Sequence, residues 1–208
     1  MCINFLPDWN TAHPYLSLPC LTAYLKEKKI NVRQIDLNIE WFWYTCSQKF
    51  IDICYKRITN NSQDNVTSNL YEMLHQYLLE ESGEIREILT NEDDFYDYYN
   101  YKKYKNFMET LQFFVSTAYS GYEISTGISS ITSFYNMEEL ICKVEDMSFN
   151  PYIDFFRKMI FQYRLSEYDF IDFSVIGMGQ VVSLLTMITE IRKLNTKLHI
   201  CIGGNSFS

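Results

Sequence analysis

The two ends of the chain share one pattern, a strand followed by a helix and a second strand, and this pattern constrains the fold most. At the amino end, CINFLP (2–7) predicts a strand, YLSLPCLTAYLKEKK (15–29) a helix and INVRQIDLN (30–38) a second strand. Near the other end, YDFIDFSVIG, MGQVVSLLTMITEIRKLN and KLHICIGG predict the same order. Since such units join parallel strands by a right-handed crossover, we expect an α/β fold with one open parallel sheet of about four strands.

The middle of the chain has a different character. Residues 40–165 are rich in aromatic side chains, poor in glycine and proline, and full of helix-length periodic windows, so they predict a large helical insertion. The expected organisation is therefore 1–39 and 166–208 as the two halves of the α/β domain. Within the insertion, NEDDFYDYYNYKKYKNF (91–107) predicts one helix, with acidic residues early and lysines late to match the helix dipole. Its tyrosines could form a solvated helix face or a face that docks a partner.

Charge and composition exclude several classes of protein. The net charge of −8, from 26 acidic and 18 basic residues, argues against nucleic-acid binding, which requires a basic surface. No apolar run reaches about 18 residues and no signal peptide is evident, so we expect no membrane association and a cytoplasmic location. The six cysteines are scattered and only three histidines occur, so no zinc, iron–sulfur or multi-histidine site is predicted. LHICI (198–202) predicts a fully buried strand in which His199 is a packed residue.

Three loops are expected where ligands bind in open parallel sheets, beyond the carboxyl ends of the strands. They are DWNTAHPYLSLP after the first strand, SVIGMGQVVS after the third and GGNSFS after the fourth. Gly177 and Gly179 form a turn that opens a helix, which could hold an anion or the polar edge of a cofactor, or could serve only as a tight turn. The third glycine of a dinucleotide fingerprint and a Walker pattern are both missing, so neither nicotinamide nor triphosphate binding is supported.

The combination of these segments resembles the N-terminal cobalamin-binding domain of cobalamin-dependent radical SAM enzymes, nearest the subgroup that matures ribosomally made peptides. The resemblance is carried by PYLSLPCLTAYLKEKKINVRQIDLN, YDFIDFSVIGMGQ and ICIGGNSFS. It implies a flavodoxin-like sheet that binds cobalamin, with the nucleotide tail of the cofactor inside the domain. The residues that it assigns to the cofactor are Ser174, Gly177, Gly179, Gln180 and Ser183 along the tail and corrin edge, Gly203 and Gly204 beside the nucleotide, and Pro14, Tyr15 and Leu16 facing the corrin.

Two departures from that family limit what the chain can do. The D-x-H-x-x-G motif whose histidine ligates cobalt is absent, as it often is in the radical SAM branch, and no C-x-x-x-C-x-x-C is present to bind a cluster. The chain is therefore not expected to perform radical chemistry alone. We expect it to be truncated before a catalytic domain or completed by a partner, and to have an exposed sheet edge beside the fourth strand that supports a homodimer or a partner contact.

The sequence thus predicts a non-catalytic, cobalamin-binding-type domain of a radical SAM methyltransferase-like system. The alternative is a protein or peptide interaction module that uses the tyrosine-rich helical insertion on a degenerate scaffold. Trp41, Phe42 and Trp43 could either cover a cofactor or replace it. An independent enzyme is least supported, because the candidate nucleophiles Cys20 and Ser17 lack an evident base.

Overall fold

A computed structural model describes residues 1–7, 15–61, 65–119, 122–125, 128–131, 137–177 and 179–204. The chain divides into two compact units, residues 1–42 with 127–208, and residues 43–126. The second unit is smaller than the predicted insertion of 40–165. The helices between 137 and 163 belong to the same unit as the sheet.

The first unit contains the four strands of the sheet and the helices that connect or cover them. Its elements are β1 (Cys2–Phe5), α1 (Ser17–Glu27), β2 (Arg33–Asp36) and the start of α2 (Leu37–Thr45). After the second unit come β4 (Ile128–Ile131), α7 (Met137–Glu145), α8 (Tyr152–Tyr163), β5 (Phe170–Ser174), α9 (Gln180–Leu194) and β6 (His199–Gly203). Pro19 lies in the first turn of α1, as expected for a residue without an N–H.

The sheet is open and entirely parallel, with the strand order β2-β1-β5-β6. The α/β class and the four parallel strands predicted from sequence are confirmed. The β1–α1–β2 and β5–α9–β6 units step outward in opposite directions from the centre. Right-handed crossovers therefore place α1 and α9 on opposite faces of the sheet.

Each face of the sheet has its own core. On the α1 face, Ile3 and Phe5 pack with Leu18 and Val32 in one buried cluster. Because side chains alternate along a strand, Cys2, Ile171 and Phe173 point to the opposite face, where all three are buried. Trp41 packs on that unit's α8, with ring centroids 4.6 Å from Tyr152 and 5.1 Å from Phe155, so it is a core residue.

The second unit is helical. It contains the rest of α2, then α3 (Gln48–Asn61), α4 (Asn65–Thr90), α5 (Glu92–Phe95), α6 (Tyr98–Ala118) and a short strand, β3 (Tyr122–Ser125). Helices α3, α4 and α6 pack on one another. His75 on α4 is held between them, with Nε2 2.8 Å from Asp52 Oδ1 and its ring stacked on Tyr55. None of the helices in the described ranges is both long and apolar enough to cross a bilayer.

Two local predictions were wrong. β6 was expected to be fully buried, but it is the edge strand, and His199, Cys201 and Ile202 are exposed. Residues 91–107 were expected to form one helix, but the chain breaks at Tyr96 and Asp97. The second helix then starts with its own cap, because Asp97 Oδ1 accepts hydrogen bonds from the amides of Tyr99 and Asn100.

Candidate functional site

The strand order places a crevice between β1 and β5. The loops that follow these two strands leave in opposite directions, since the chain crosses to β2 from one and to β6 from the other. In open parallel sheets this switch point, at the carboxyl ends of the strands, is where ligands bind. The described parts of three loops lie at this end: Leu6 and Pro7 with Tyr15, then 175–177 with 179–180, and Gly203 with Gly204.

Gln180 fastens two of these loops together. Its side chain is fully buried, its Oε1 accepts from the amide of Ile176 at 2.7 Å, and its Nε2 donates to the carbonyl of Leu6 at 2.9 Å. The amide of Gly177 lies 3.4 Å from the same Oε1. Both polar ends of the side chain are therefore used within the protein, and Gln180 positions the loops after β1 and β5.

Ser183 adds a second link one turn along α9. Its buried hydroxyl donates to the carbonyls of Pro7 at 3.3 Å and Gln180 at 3.0 Å. The resemblance assigned Gln180 and Ser183 to a cofactor. In the structure their side chains bond to the backbone of the loops after β1 and β5.

The two glycines after β6 differ in what surrounds them. Gly204 has φ of +122°, and a Cβ at this position would lie 1.9 Å from the carbonyl oxygen of Val175. The amide of Val175 donates to the carbonyl of Gly203 at 2.8 Å, so the β5 and β6 loops run in contact. By contrast, a Cβ on Gly203 or on Gly177 would meet nothing within 4 Å. Of these three glycines, Gly204 is the one that the packing of the protein requires to be glycine.

Tyr15 lies at the entrance between the first loop and β5. Its ring stacks on Phe5 with centroids 4.9 Å apart, and its hydroxyl accepts a long hydrogen bond of 3.4 Å from Ser174 Oγ. Leu16, the next residue, is 68% exposed. The structure thus brings Tyr15 and Ser174 together, whereas Pro14 lies outside the described residues.

In the described part of the chain, α1 leaves half of one sheet face uncovered beside this entrance. α1 packs over β1 and β2. On the same face, β5 and β6 present six residues that are half-buried or exposed, which we call the open half-face: Phe170, Asp172, Ser174, His199, Cys201 and Gly203. The His199 ring stacks on Phe170 with centroids 5.1 Å apart, so part of this surface is flat and aromatic. This surface could not be predicted from the sequence, because LHICI is typical of a strand buried on both faces.

The electrostatics of the open half-face do not favour nucleophilic chemistry. Burial raises the pKa of the Asp172 carboxyl, and a hydrogen bond from the Cys201 thiol opposes the shift. Burial, followed by the charge of Asp172, raises the pKa of Cys201. A thiol with a raised pKa is protonated at neutral pH and is a poor nucleophile.

The buried side of α9 differs from the side that its apolar residues predict. The sequence spacing places Val181, Leu184, Leu185, Ile188 and Ile191 on one side, but only Leu184 and Ile191 of these are buried. The buried side instead carries Val182 and Met187 and a row of four polar residues: Gln180, Ser183, Thr186 and Glu190. Their spacing of three or four residues follows one side of a helix, and that periodicity was the available signal. Each has a protein partner; Thr186 Oγ1, for example, accepts from Asn150 Nδ2 at 2.7 Å.

No three His, Cys, Asp or Glu side chains gather as a metal ion would require anywhere in the described ranges. Comparison with known proteins found no family model that matches the chain, no similar curated protein and no similar solved structure. The function therefore has to be inferred from the residues and the geometry of the chain itself.

Proposed function

We propose that the sheet unit is a cobalamin-binding-type, non-catalytic domain of a radical SAM methyltransferase-like system. The observation that carries this proposal is the crevice between β1 and β5. Beside it lies the open half-face, where a Cβ on Gly203 would meet nothing within 4 Å. The strand order is that of the first four strands of a flavodoxin-like sheet, in which ligands bind at this switch point.

The residues present fit a large, flat cofactor with a polar tail. The Gly203 and Gly177 positions have room for a Cβ, so a close ligand explains glycine there better than protein packing does. Among the described residues Ser174 Oγ makes one hydrogen bond, a long one of 3.4 Å to the Tyr15 hydroxyl, and it could exchange this bond for one to a tail that lies along the open half-face. Tyr15 and exposed Leu16 offer apolar surface to a corrin edge.

In this proposal the chain binds and orients, and it supplies no reacting group. Bound cobalamin would supply one-carbon transfer chemistry at its cobalt. Gln180 and Ser183 hold the loops in place, Gly203 and Gly177 permit close approach, and Tyr15 restricts water at the entrance. A catalytic radical SAM domain or a partner protein would provide the remaining chemistry, with a peptide as the proposed substrate.

Retention of hydroxocobalamin tests the proposal. The protein is mixed with hydroxocobalamin and desalted, and its visible spectrum is recorded; a retained, shifted corrin spectrum is expected. Gly203→Leu places a side chain in the open position and should weaken binding by about tenfold or more, equivalent to about 1.4 kcal/mol. Gly83→Leu is the matched control, because a Cβ on Gly83 of α4 also meets nothing within 4 Å. Absence of retained colour, or equal binding by both variants, would contradict the proposal.

A second candidate function has its own observation, a surface of five exposed aromatic residues at the α5–α6 junction. We call it the tyrosine patch: Phe95, Tyr96, Tyr98, Tyr99 and Tyr101, which are 46% to 79% exposed. Four carboxylates lie beside it in the chain: three in the first turn of α5 and the side chain of Asp97. Exposed rings next to carboxylates favour a cationic partner through cation–π and ionic contacts, so this candidate is an interaction module for a basic peptide.

The second candidate is tested with an arginine-rich fluorescent peptide and a glutamate-rich counterpart. The arginine-rich peptide should bind, and the double variant Tyr96→Ser, Tyr99→Ser should abolish that binding. Phe161→Ser removes a ring that is 87% exposed in the other unit and serves as the control. Equal binding of the two peptides would rule out this function for the tyrosine patch.

A further inference from the structure

The edge of the sheet opposite β6 is formed by β2, and it leaves backbone groups free. The amide of Arg33 donates to the carbonyl of Met1 at 3.1 Å, so Arg33 faces β1. Neighbouring residues in a strand point their backbone groups to opposite sides, so Ile35 also faces β1, whereas Gln34 and Asp36 face outward. β2 is an edge strand within the part of the chain that the structure describes, and its outward groups are available to an added strand.

A cleft follows this free edge. It has a volume of about 290 Å³ and is lined by β2 itself, by Ile39 and Glu40 of α2 and by Tyr163. A second cleft of about 250 Å³ is lined by Arg33, Tyr163, Arg164, Glu167 and Tyr168. The two share Arg33 and Tyr163, so together they form one groove, which we call the β2 groove.

The wall of the β2 groove is held by contacts within the protein. Tyr163 donates a hydrogen bond from its hydroxyl to Glu40 Oε1, and the Arg33 guanidinium lies 5.0 Å from the centroid of its ring. Burial, followed by the hydrogen bond to Glu40, raises the pKa of Tyr163 to about 12, so the hydroxyl stays a donor at neutral pH. Arg164, the residue after α8, adopts the left-handed conformation with φ of 52°. A preformed groove lowers the entropic cost of binding.

The two ends of the β2 groove carry opposite charge. Arg33 has no carboxylate within 4.0 Å among the described residues, and Arg164 has only an exposed contact of 3.9 Å with Glu167. The carboxylates of Asp36 and Glu40 lie at the other end, where Asp36 Oδ1 caps α2 through the amides of Asn38 and Ile39. The start of β2 is therefore basic and its end is acidic.

We propose that the β2 groove binds a short extended peptide that pairs antiparallel with β2. In that direction the carboxyl end of the peptide meets Arg33 and Arg164, and its amino end meets Asp36 and Glu40, whereas a parallel strand would place like charges together. The outward N–H and C=O of Gln34 and the outward N–H of Asp36 pair with the peptide backbone, whereas the C=O of Asp36 belongs to the first turn of α2. Exposed Ile39 contacts an apolar side chain of the peptide. An antiparallel edge strand on a parallel sheet is a common arrangement. This site lies at the sheet edge and is independent of any cofactor.

The test uses fluorescein-labelled pentapeptides and fluorescence polarisation with the full chain. The first probe, Lys-Val-Thr-Val-Asp, has a free amino end and a free carboxyl end, with the label on the lysine side chain through a spacer. The second probe, Asp-Val-Thr-Val-Lys, has both ends blocked and so reverses the charges. The first should bind more tightly by about tenfold, the effect of one charge-assisted hydrogen bond.

Two variants separate the contribution of backbone hydrogen bonds to peptide affinity from the contribution of charge. Gln34→Pro removes an outward N–H and leaves the pairing with β1 intact, so the protein should stay folded and lose at least about fivefold in affinity. Arg33→Gln should reduce the preference for a free carboxylate over a carboxamide. Equal binding of the two probes, or affinity unchanged by Gln34→Pro in a folded protein, would overturn the proposal. Failure of both probes to bind would also overturn it. If the chain self-associates and Gln34→Pro abolishes that association, the β2 edge would be assigned to a second copy of the chain instead.

Discussion

Gly203 and Gly204 are adjacent residues with different physical reasons for being glycine. Gly204 needs a left-handed conformation and lies against the backbone of Val175, whereas Gly203 has neither constraint. The resemblance assigned both to the approach of a nucleotide. The structure shows that Gly204 is required by the contact between the β5 and β6 loops, so Gly203 is the better position from which to probe a ligand.

We predict that Gly204→Ala destabilises the protein and Gly203→Ala does not. The added Cβ on Gly204 would lie 1.9 Å from the Val175 carbonyl oxygen, and its φ is unfavourable for alanine. The expected loss is more than about 1 kcal/mol in the free energy of unfolding, against a change within about 0.5 kcal/mol for Gly203→Ala. Urea unfolding of the two variants measures the difference. Equal stabilities would show that the loop contact is absent.

A second prediction concerns Glu190 on α9, which is buried between two cations. Burial opposes its ionisation, but hydrogen bonds from Arg157 at 2.7 Å and Lys193 at 2.6 Å outweigh this and lower the pKa of the carboxyl. A carboxyl with a lowered pKa stabilises the fold above its unfolded pKa, and this contribution is lost as pH falls through the folded value. On acidification the wild-type protein should therefore lose the contribution of the ionised Glu190 carboxylate to its free energy of unfolding. Glu190→Gln has no such contribution to lose.

Urea unfolding of wild type and Glu190→Gln, from pH 7 downward in steps to pH 3, tests this. Glu190→Gln should lower the free energy of unfolding by about 1 to 3 kcal/mol at pH 7. The difference in this free energy between wild type and variant should shrink as the pH falls. Glu145→Gln is the matched control, because Glu145 is exposed and lies 3.9 Å from the same Lys193; it should cost less than about 1 kcal/mol. A difference in unfolding free energy that does not change with pH would show that Glu190 is not ionised in the folded protein.

Among the elements, the α5–α6 junction shows how a local side chain can decide a boundary. Periodicity alone runs continuously through residues 91–107, but Asp97 stops one helix and starts the next by capping two amides. The break turns Tyr96, Tyr98 and Tyr99 outward and so creates much of the tyrosine patch. The cap is thus part of what presents that surface.

We predict that Asp97→Ala destabilises the protein by about 1 kcal/mol, the usual effect of losing an N-cap. The variant should also reduce binding at the tyrosine patch, because the first turn of α6 frays. Asn106→Ala, an exposed position within the same helix, is the control and should leave stability unchanged or slightly higher. Chemical denaturation with circular dichroism measures both. A loss at Asn106 equal to that at Asp97 would argue against the cap.

The strands and helices of both βαβ units were predictable, because apolar runs, Pro19 and the flanking glycines mark them in the sequence. What the sequence could not supply was the environment of each face. LHICI contains the residues of a buried strand, yet β6 lies at the edge, and only the strand order reveals that Cys201 and Ile202 are exposed. In the same way, the resemblance assigned Gln180 to a cofactor, but its hydrogen bond to Leu6, 174 residues away in the chain, could not be predicted from the sequence.

At the scale of the whole molecule, the sheet has two edges with different surfaces. The β2 edge carries charged residues and a groove. The β6 edge exposes Ile202, which is 39% exposed, and is the edge at which a homodimer or a catalytic partner domain is proposed. Exposed edge strands readily pair with another chain unless they are covered.

We predict that the purified chain self-associates through β6 in a concentration-dependent way. Ile202→Lys places a charge on that edge and should shift the protein to monomer in sedimentation velocity experiments. Gln34→Lys places the same charge on the β2 edge and should not change the association. A chain that is monomeric at all concentrations would remove the homodimer and leave a partner domain as the proposed occupant of this edge.

Cofactor binding at the crevice is tested most directly by amide hydrogen exchange of the protein with and without hydroxocobalamin. We predict slower exchange in peptides covering 174–183 and 199–204, where the loops after β5 and β6 meet, and unchanged exchange in a peptide covering 33–39 on the far edge. Protection confined to other segments, or no change at any segment with cobalamin in large excess, would contradict the assignment of this crevice as a cofactor site.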